Sequence, residues 1–140
     1  MQRWCVLLLL SGLSAWPLSV LARAKTVWDG VYTADQAKRG ETPYRQNCAL
    51  CHGAAMAGTE NAPGLVGEEF LKLWYGKPVS ELFKQVQTKM PKDAPGILKP
   101  QQTADILAYT FSVNKFPPGT EELAAVTEPL ADIKIEKQPK

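Results

Sequence analysis

Cys48-Ala49-Leu50-Cys51-His52 is a C-x-x-C-H run, and this spacing has a specific chemical use. Two thiols three positions apart can each form a thioether to one vinyl group of a haem, and the adjacent histidine is then held under the iron as its proximal ligand. His52 is the only histidine in the chain, so imidazole chemistry is confined to this run. Two other chemistries compete for the same residues. A structural zinc site needs about four ligands, commonly Cys and His, whereas Cys48, Cys51 and His52 make three once the N-terminal segment is set aside. A disulfide between Cys48 and Cys51 could form in an oxidising compartment. The histidine that follows, and the lack of a preceding strand, argue against a thioredoxin-like dithiol.

A haem iron held by imidazole leaves a sixth position. Soft thioether sulfur opposite imidazole makes a high-potential electron-transfer iron, so the methionines matter. Met56 lies four residues after His52 and must stay on the proximal side or at the haem edge. Met90 lies 38 residues after His52 and is followed by Pro91. Two predicted helices intervene, so the chain can pass round the haem and present Met90 from the opposite face. The alternative for Met90 is a flexible side chain filling the core.

The N-terminus predicts where this chemistry happens. Arg3 supplies a positive start, the apolar run through Leu21 a hydrophobic stretch, and Ala22-Arg23-Ala24 an A-x-A-type cleavage site. Residues 1–24 read as a secretory signal peptide, with the mature chain starting at Lys25 and the protein located in the periplasm. The competing reading is a retained anchor. The apolar stretch from Cys5 to Leu21 is 17 residues and is broken by Ser11, Gly12, Ser14, Pro17 and Ser19. A spanning helix needs roughly 20 predominantly apolar residues. Cys5 has no lipobox before it. The full chain has a formal charge of +2. Removing Arg3 and Arg23 leaves 14 basic and 14 acidic residues, a balance that disfavours nucleic-acid binding, which needs a basic face. The remaining 116 residues suffice for one small domain.

The elements that must position these residues are predicted to be helices. Thr33-Ala34-Asp35-Gln36 has the form of a capping box, with Thr33 as N-cap and Gln36 at N3. It opens a helix that runs toward Asn47 and delivers Cys48 at its end. Pro43 inside it should kink or divide it, since an interior proline costs about 3 kcal/mol. Residues 58–67, rich in Gly, Pro and Asn, form a loop. A short helix over 68–75 turns Phe70, Leu71 and Trp74 to one side. A third starts near Ser80, faces Leu82, Phe83 and Val86 inward and stops before Pro91. After a second loop over 90–99, the last helix runs from about Pro100 to Val113, with Ile106, Leu107, Tyr109 and Thr110 toward the core. No alternating run supports a strand beyond a short extended piece at Ile133-Lys134-Ile135. Residues 25–116 form the domain. Residues 117–140, rich in Pro and Glu, are predicted to lie over the surface as a tail without a new element. The fold class is all-α: about four short helices and long loops wrapped around one covalently bound haem, whose apolar macrocycle fills an otherwise thin core.

Four stretches carry a family resemblance: Gly40-x-x-x-Tyr44-x-x-x-Cys48-Ala49-Leu50-Cys51-His52-Gly53, Ala62-Pro63-Gly64-Leu65-Val66-Gly67, Lys89-Met90-Pro91, and Ala104-Asp105-Ile106-Leu107-Ala108-Tyr109. Through them the chain resembles class I c-type cytochromes over nearly all of its mature length. The resemblance implies the cytochrome c fold, one haem c on Cys48 and Cys51, and iron ligation by His52 and Met90. It implies that first and last helices cross where Gly40 permits close approach and Tyr44, Ile106 and Tyr109 fill the sides. It implies that the Pro63 carbonyl accepts the free ring N–H of His52, that Leu65 packs on the haem and that Trp74 lines its propionate side. More narrowly, Met90-Pro91-x-x-x-Pro95-Gly96-x-Leu98 with Asn114-Lys115-Phe116-Pro117 resembles small bacterial cytochromes found beside pyrroloquinoline-quinone dehydrogenases. The implied function is a monomeric one-electron carrier and not an enzyme, with redox proteins as partners: a dehydrogenase donor, and an oxidase or another cytochrome as acceptor. No small-molecule substrate is implied. One alternative is a haem sensor or peroxidase-type enzyme with an open distal position, against which stands the lack of a second histidine or a placed distal arginine. The other is a bound subunit of a respiratory or dehydrogenase complex, kept there by an uncleaved N-terminus.

Overall fold

The computed structural model describes residues 24–139, and the expected signal peptide falls almost wholly outside them. The first helix starts where the sequence places its cap. The Thr33 side chain accepts the Gln36 backbone N–H at 3.1 Å, which satisfies one of the orphan donors of a helix start. The capping box is only half used. Gln36 is fully buried, and its side chain bonds a distant segment instead, as described below.

Helix α1 (Ala34–Asn47) continues through Pro43 as one element, so proline does not divide it. Proline removes the N–H that would reach the carbonyl of Arg39, and Arg39 is an exposed residue. The missing bond thus falls on the solvent side of α1, where its loss is tolerated. Then follow α2 (Ala49–His52), α3 (Gly67–Trp74), α4 (Val79–Lys89), α5 (Pro100–Val113) and α6 (Thr127–Leu130). The fold is all-α in character, with six helices among the described residues where four were predicted. The two additions, α2 and α6, span four residues each. That is about one turn, too short for a 3.6-residue periodicity to register.

The centre of the fold is the contact of α1 with α5. A Cβ on Gly40 would collide with the carbonyl of Asp105 and stand 3.0 Å from the Ile106 nitrogen. Glycine alone lets the two backbones meet so closely. One turn on, the Tyr44 and Tyr109 rings lie 5.6 Å apart at 57°, a tilted pair of the favoured kind. Asp105 is buried beneath the crossing, and Arg39 reaches its carboxylate at 3.2 Å.

The C-terminal stretch corrects the expectation of a surface tail. Leu123, Leu130, Ile133 and Ile135 are all buried in the main core with Tyr32, Phe70 and Phe111. Strand β2 (Ile133–Lys134) pairs in parallel with β1 (Lys25–Thr26), Lys25 opposite Ile133. On its other side, Gly76 N–H donates to the Ile135 carbonyl at 2.8 Å and Ile135 N–H donates to the Lys77 carbonyl at 3.0 Å. The Trp28 indole N–H donates to the Glu136 carbonyl at 2.8 Å. The last segment thus ties the start of the domain to the corner between α3 and α4. Its Pro and Glu content hid this, because four apolar residues at irregular spacing carry no period.

Burial of Ile135 gives a direct test. Ile135→Ala should lower the unfolding free energy by about 2–5 kcal/mol, the usual cost of emptying a buried aliphatic site. Denaturant unfolding of wild type and variant measures it. A loss below about 0.5 kcal/mol, the range of surface substitutions, would return the segment to a surface role.

Candidate functional site

Helix α1 ends in the motif. Cys48 N–H donates to the Tyr44 carbonyl at 2.8 Å, and the next turn closes with His52 N–H on the Cys48 carbonyl at 2.9 Å. Gly53, at φ +80°, stops α2. One helical turn therefore carries both thiols and the imidazole. Cys48 is half-buried, Cys51 exposed, and both thiols are free. Burial first, and then neighbouring Cys51, pushes the Cys48 thiol up to about 11. Cys48 is then a neutral thiol at neutral pH.

The His52 ring is aimed by one bond. Nδ1 lies 2.8 Å from the Pro63 carbonyl. A carbonyl can only accept, so Nδ1 carries the proton and Nε2 keeps its lone pair free. This is the arrangement of a metal-binding imidazole whose tautomer is fixed from behind. The contact joins the two residues that the family resemblance paired.

Pro63 sits in a loop over residues 53–66 that is closed by its own hydrogen bonds. His52 carbonyl accepts from Gly58 N–H at 2.9 Å, Thr59 N–H donates to the Ala62 carbonyl at 2.9 Å, and Leu65 N–H donates to the Met56 carbonyl at 2.8 Å. Thr59 Oγ1 donates to the Cys51 carbonyl at 2.5 Å. Asn114, at the end of α5, holds the far side: its Nδ2 donates to the Leu65 carbonyl at 2.9 Å, and its Oδ1 accepts the Gly67 N–H at 3.0 Å.

The other predicted residues fall as follows. Leu65 is half-buried and packs with Tyr44, Met56, Leu98 and Ile106. Trp74 is half-buried at the end of α3 and packs against the main core, with Lys77 Nζ 5.0 Å above its ring. Met90 is half-buried at the C-terminal end of α4. It opens the second loop, whose far end is buried: Leu98 shares a cluster with Cys48 and Ala49. The motif turn and this loop thus meet on one apolar surface. Met56 is fully buried.

Sequence reasoning missed what pins the Met90 loop. Gln87 Nε2 donates to the Leu98 carbonyl at 2.6 Å, and its Oε1 accepts from Thr103 Oγ1 at 2.8 Å. No sequence signal marks a glutamine on α4 for this task. It also missed the Tyr44 hydroxyl, which donates to the Gly53 carbonyl at 2.7 Å. Burial, then Cys48 and Tyr109, pushes that phenol up to about 12.

The donor set suits haem c. Two free thiols share a turn with an imidazole whose Nε2 is free, and a thioether stands at the mouth of a tethered loop. Among the described residues no group of three or more His, Cys, Asp and Glu side chains could hold a metal ion by itself. Two open surface clefts, one beside Glu68, Lys72 and Tyr75 and one along Lys77, Lys84 and Lys89, include none of the donors.

Fold and site together define a c-type cytochrome domain. Residues 35–109 match the family described as cytochrome c oxidase, cbb3-type, subunit III, and the chain belongs to that family. Membership implies haem c as cofactor and haem-based electron transfer as the work of the domain. No curated protein matches the chain. Among solved structures, one chain of the sulfane dehydrogenase SoxCD from Paracoccus pantotrophus is similar, at 21% identity and a TM-score of 0.48. The similarity covers 76% of this chain and 59% of that one.

The glutamine tether makes a prediction. Gln87→Ala removes the partner of the Leu98 carbonyl and of Thr103 Oγ1, and should cost about 1–3 kcal/mol. Amide hydrogen exchange in residues 90–99 should rise more than in α1. Uniform change across the chain would show that Gln87 does not tether this loop.

Proposed function

We propose that the protein is an exported monohaem cytochrome c that carries single electrons between redox proteins. The observation that carries this reading is the 2.8 Å contact of His52 Nδ1 with Pro63, which leaves Nε2 free on the turn that bears Cys48 and Cys51. When bound, haem c supplies a one-electron ferrous–ferric couple. The chain's own residues do the rest. Cys48 and Cys51 would hold the haem through thioethers, and His52 Nε2 would bind the iron on one side. Pro63 keeps the His52 proton on Nδ1 and raises the basicity of the ring. Met90 would take the sixth position, its loop restrained through Gln87 and Leu98. Leu65 and Trp74 would line the pocket. Ligands held this firmly need little rearrangement as charge comes and goes.

The proposed location is the periplasm. The N-terminal sequence pattern supports it. The proposed partners are redox proteins, with a quinoprotein dehydrogenase as donor and an oxidase or another cytochrome as acceptor. A second reading, a subunit retained in a larger complex, draws support from the family description, which names a subunit of an oxidase. N-terminal sequencing separates the two. Periplasmic protein beginning at or near Lys25 fits the carrier, and a membrane-bound form that keeps Met1 fits the subunit.

Covalent attachment is tested first. A denaturing gel stained for haem peroxidase activity should show a band that Cys48→Ala with Cys51→Ala abolishes. If acid–acetone extracts all colour from the wild type, the thioether assignment is wrong. Distal ligation is tested by Met90→Ala. The ferric wild type should be low-spin with a weak Met-to-iron charge-transfer band. The variant should lose that band, fall in potential and bind CO, because thioether ligation favours the ferrous state. Met56→Ala should keep the band. A wild type that binds CO readily at neutral pH would move the protein to the sensor or peroxidase class.

A further inference from the structure

We propose that Met56 is a positioning residue for the proximal ligand: its buried side chain holds the loop that presses the Pro63 carbonyl onto His52. The inference rests on the reading of His52 as iron ligand, and deepens it.

Three observations converge on Met56. Its backbone is left-handed, at φ +60°, a conformation that is uncommon without glycine and persists only where the surroundings impose it. Its side chain is fully buried, packed in one cluster with Tyr44, Leu98 and Ile106. That cluster sits at the crossing of α1 and α5, the least yielding part of the fold. Finally, both of its backbone groups are used within the loop. Met56 N–H donates to the Gly53 carbonyl at 3.1 Å, and its carbonyl accepts the Leu65 N–H at 2.8 Å.

The Gly53 carbonyl is shared. It also accepts the Tyr44 hydroxyl at 2.7 Å, so α1 grips the loop at the same acceptor. From Met56 the constraint passes to Pro63 by two short routes. Leu65, bonded to Met56, is two residues beyond Pro63. Gly58, two residues after Met56, lies flat against the same segment: a Cβ there would stand 2.6 Å from the Gly64 nitrogen and 3.0 Å from the Pro63 carbonyl carbon. The two arms of the loop cannot separate while Met56 stays seated. Held so, the Pro63 carbonyl draws on the Nδ1 proton and makes the imidazole a stronger donor. A stronger donor favours the ferric state. Release of Met56 should therefore weaken the His52–Pro63 bond and raise the reduction potential, although Met56 never touches the iron.

The test uses haem-loaded mature protein in four forms: wild type, Met56→Leu, Met56→Gly and Tyr44→Phe. Two quantities are read, the reduction potential and the exchange rate of the His52 Nδ1–H by NMR in the ferrous state. Met56→Gly accepts the left-handed backbone but loses the buried anchor. Tyr44→Phe loses only the hydroxyl. Both should raise the potential and speed exchange several-fold, with the Met-to-iron band intact. Met56→Leu, which refills the pocket, should restore both toward wild type. If Met56→Gly and Tyr44→Phe are less stable but keep wild-type potential and exchange, Met56 is only a core residue and the inference is overturned. Should Met56→Gly fail to fold, Met56→Ala, which also empties the buried site, is read in its place, and wild-type potential and exchange in it overturn the inference. A wild type without covalent haem or without the band overturns the carrier reading, and this inference with it, and is recognised before any variant is compared.

Discussion

Contact between the backbones of α1 and α5 at Gly40 governs the rest of the molecule. There is no room for a Cβ against the Asp105 carbonyl, so the separation of the two helices is set by main-chain atoms and has no side chain to adjust it. Tyr44 then lies one turn beyond Gly40 and Cys48 one turn beyond Tyr44, which fixes where the motif turn emerges. The ion pair at the crossing contributes less than its position suggests. Arg39 is 46% exposed, and exposed pairs are worth about 0–1 kcal/mol. Its task is to satisfy the buried Asp105 carboxylate, helped by Gln101 Nε2 at 2.9 Å. Packing carries the stability here: an aromatic pair adds about 0.5–1.5 kcal/mol beyond the area it buries.

A second theme is how so much loop is held with so little sheet. Three side-chain amides act as pins. Gln36 in α1 bonds both backbone groups of Leu123, at 2.9 and 2.7 Å. Gln87 in α4 holds the Leu98 carbonyl, and Asn114 at the end of α5 holds Leu65 and Gly67. An amide suits this work because one planar group both donates and accepts, and so can serve a peptide unit that has no ladder partner. Among the described residues no buried side-chain nitrogen or oxygen lacks a partner. Each pin joins a rigid helix to a segment that carries chemistry or closes the core. The loops behind His52 and Met90 are thus immobilised from outside themselves.

Local features of this chain were legible residue by residue. The Cys48–His52 spacing is one helical turn, so its chemistry needed no tertiary knowledge. Thr33 capped the first helix as read, and Pro100 and Val113 bound the last. The pairing of His52 with Pro63 came from family resemblance, not from spacing. The hidden features all join distant parts of the chain. Gln36 and Leu123 are 87 residues apart, and Leu65 and Asn114 are 49 apart. A glutamine on a helix looks alike whether it faces water or a buried peptide group. The last segment was misjudged for the same reason: a two-residue strand and four irregularly spaced apolar residues have no period, and their burial exists only once β1 and the α3–α4 corner offer a place. Met56 was placed by chain length near the proximal side, but its left-handed backbone and complete burial follow from the apolar cluster it joins with Tyr44, Leu98 and Ile106. Sequence alone determined which groups are available and which helices present them, because those depend on covalent spacing and short-range hydrogen bonds. Only the tertiary structure decided how tightly each group is held, because that depends on which distant backbone happens to lie within reach.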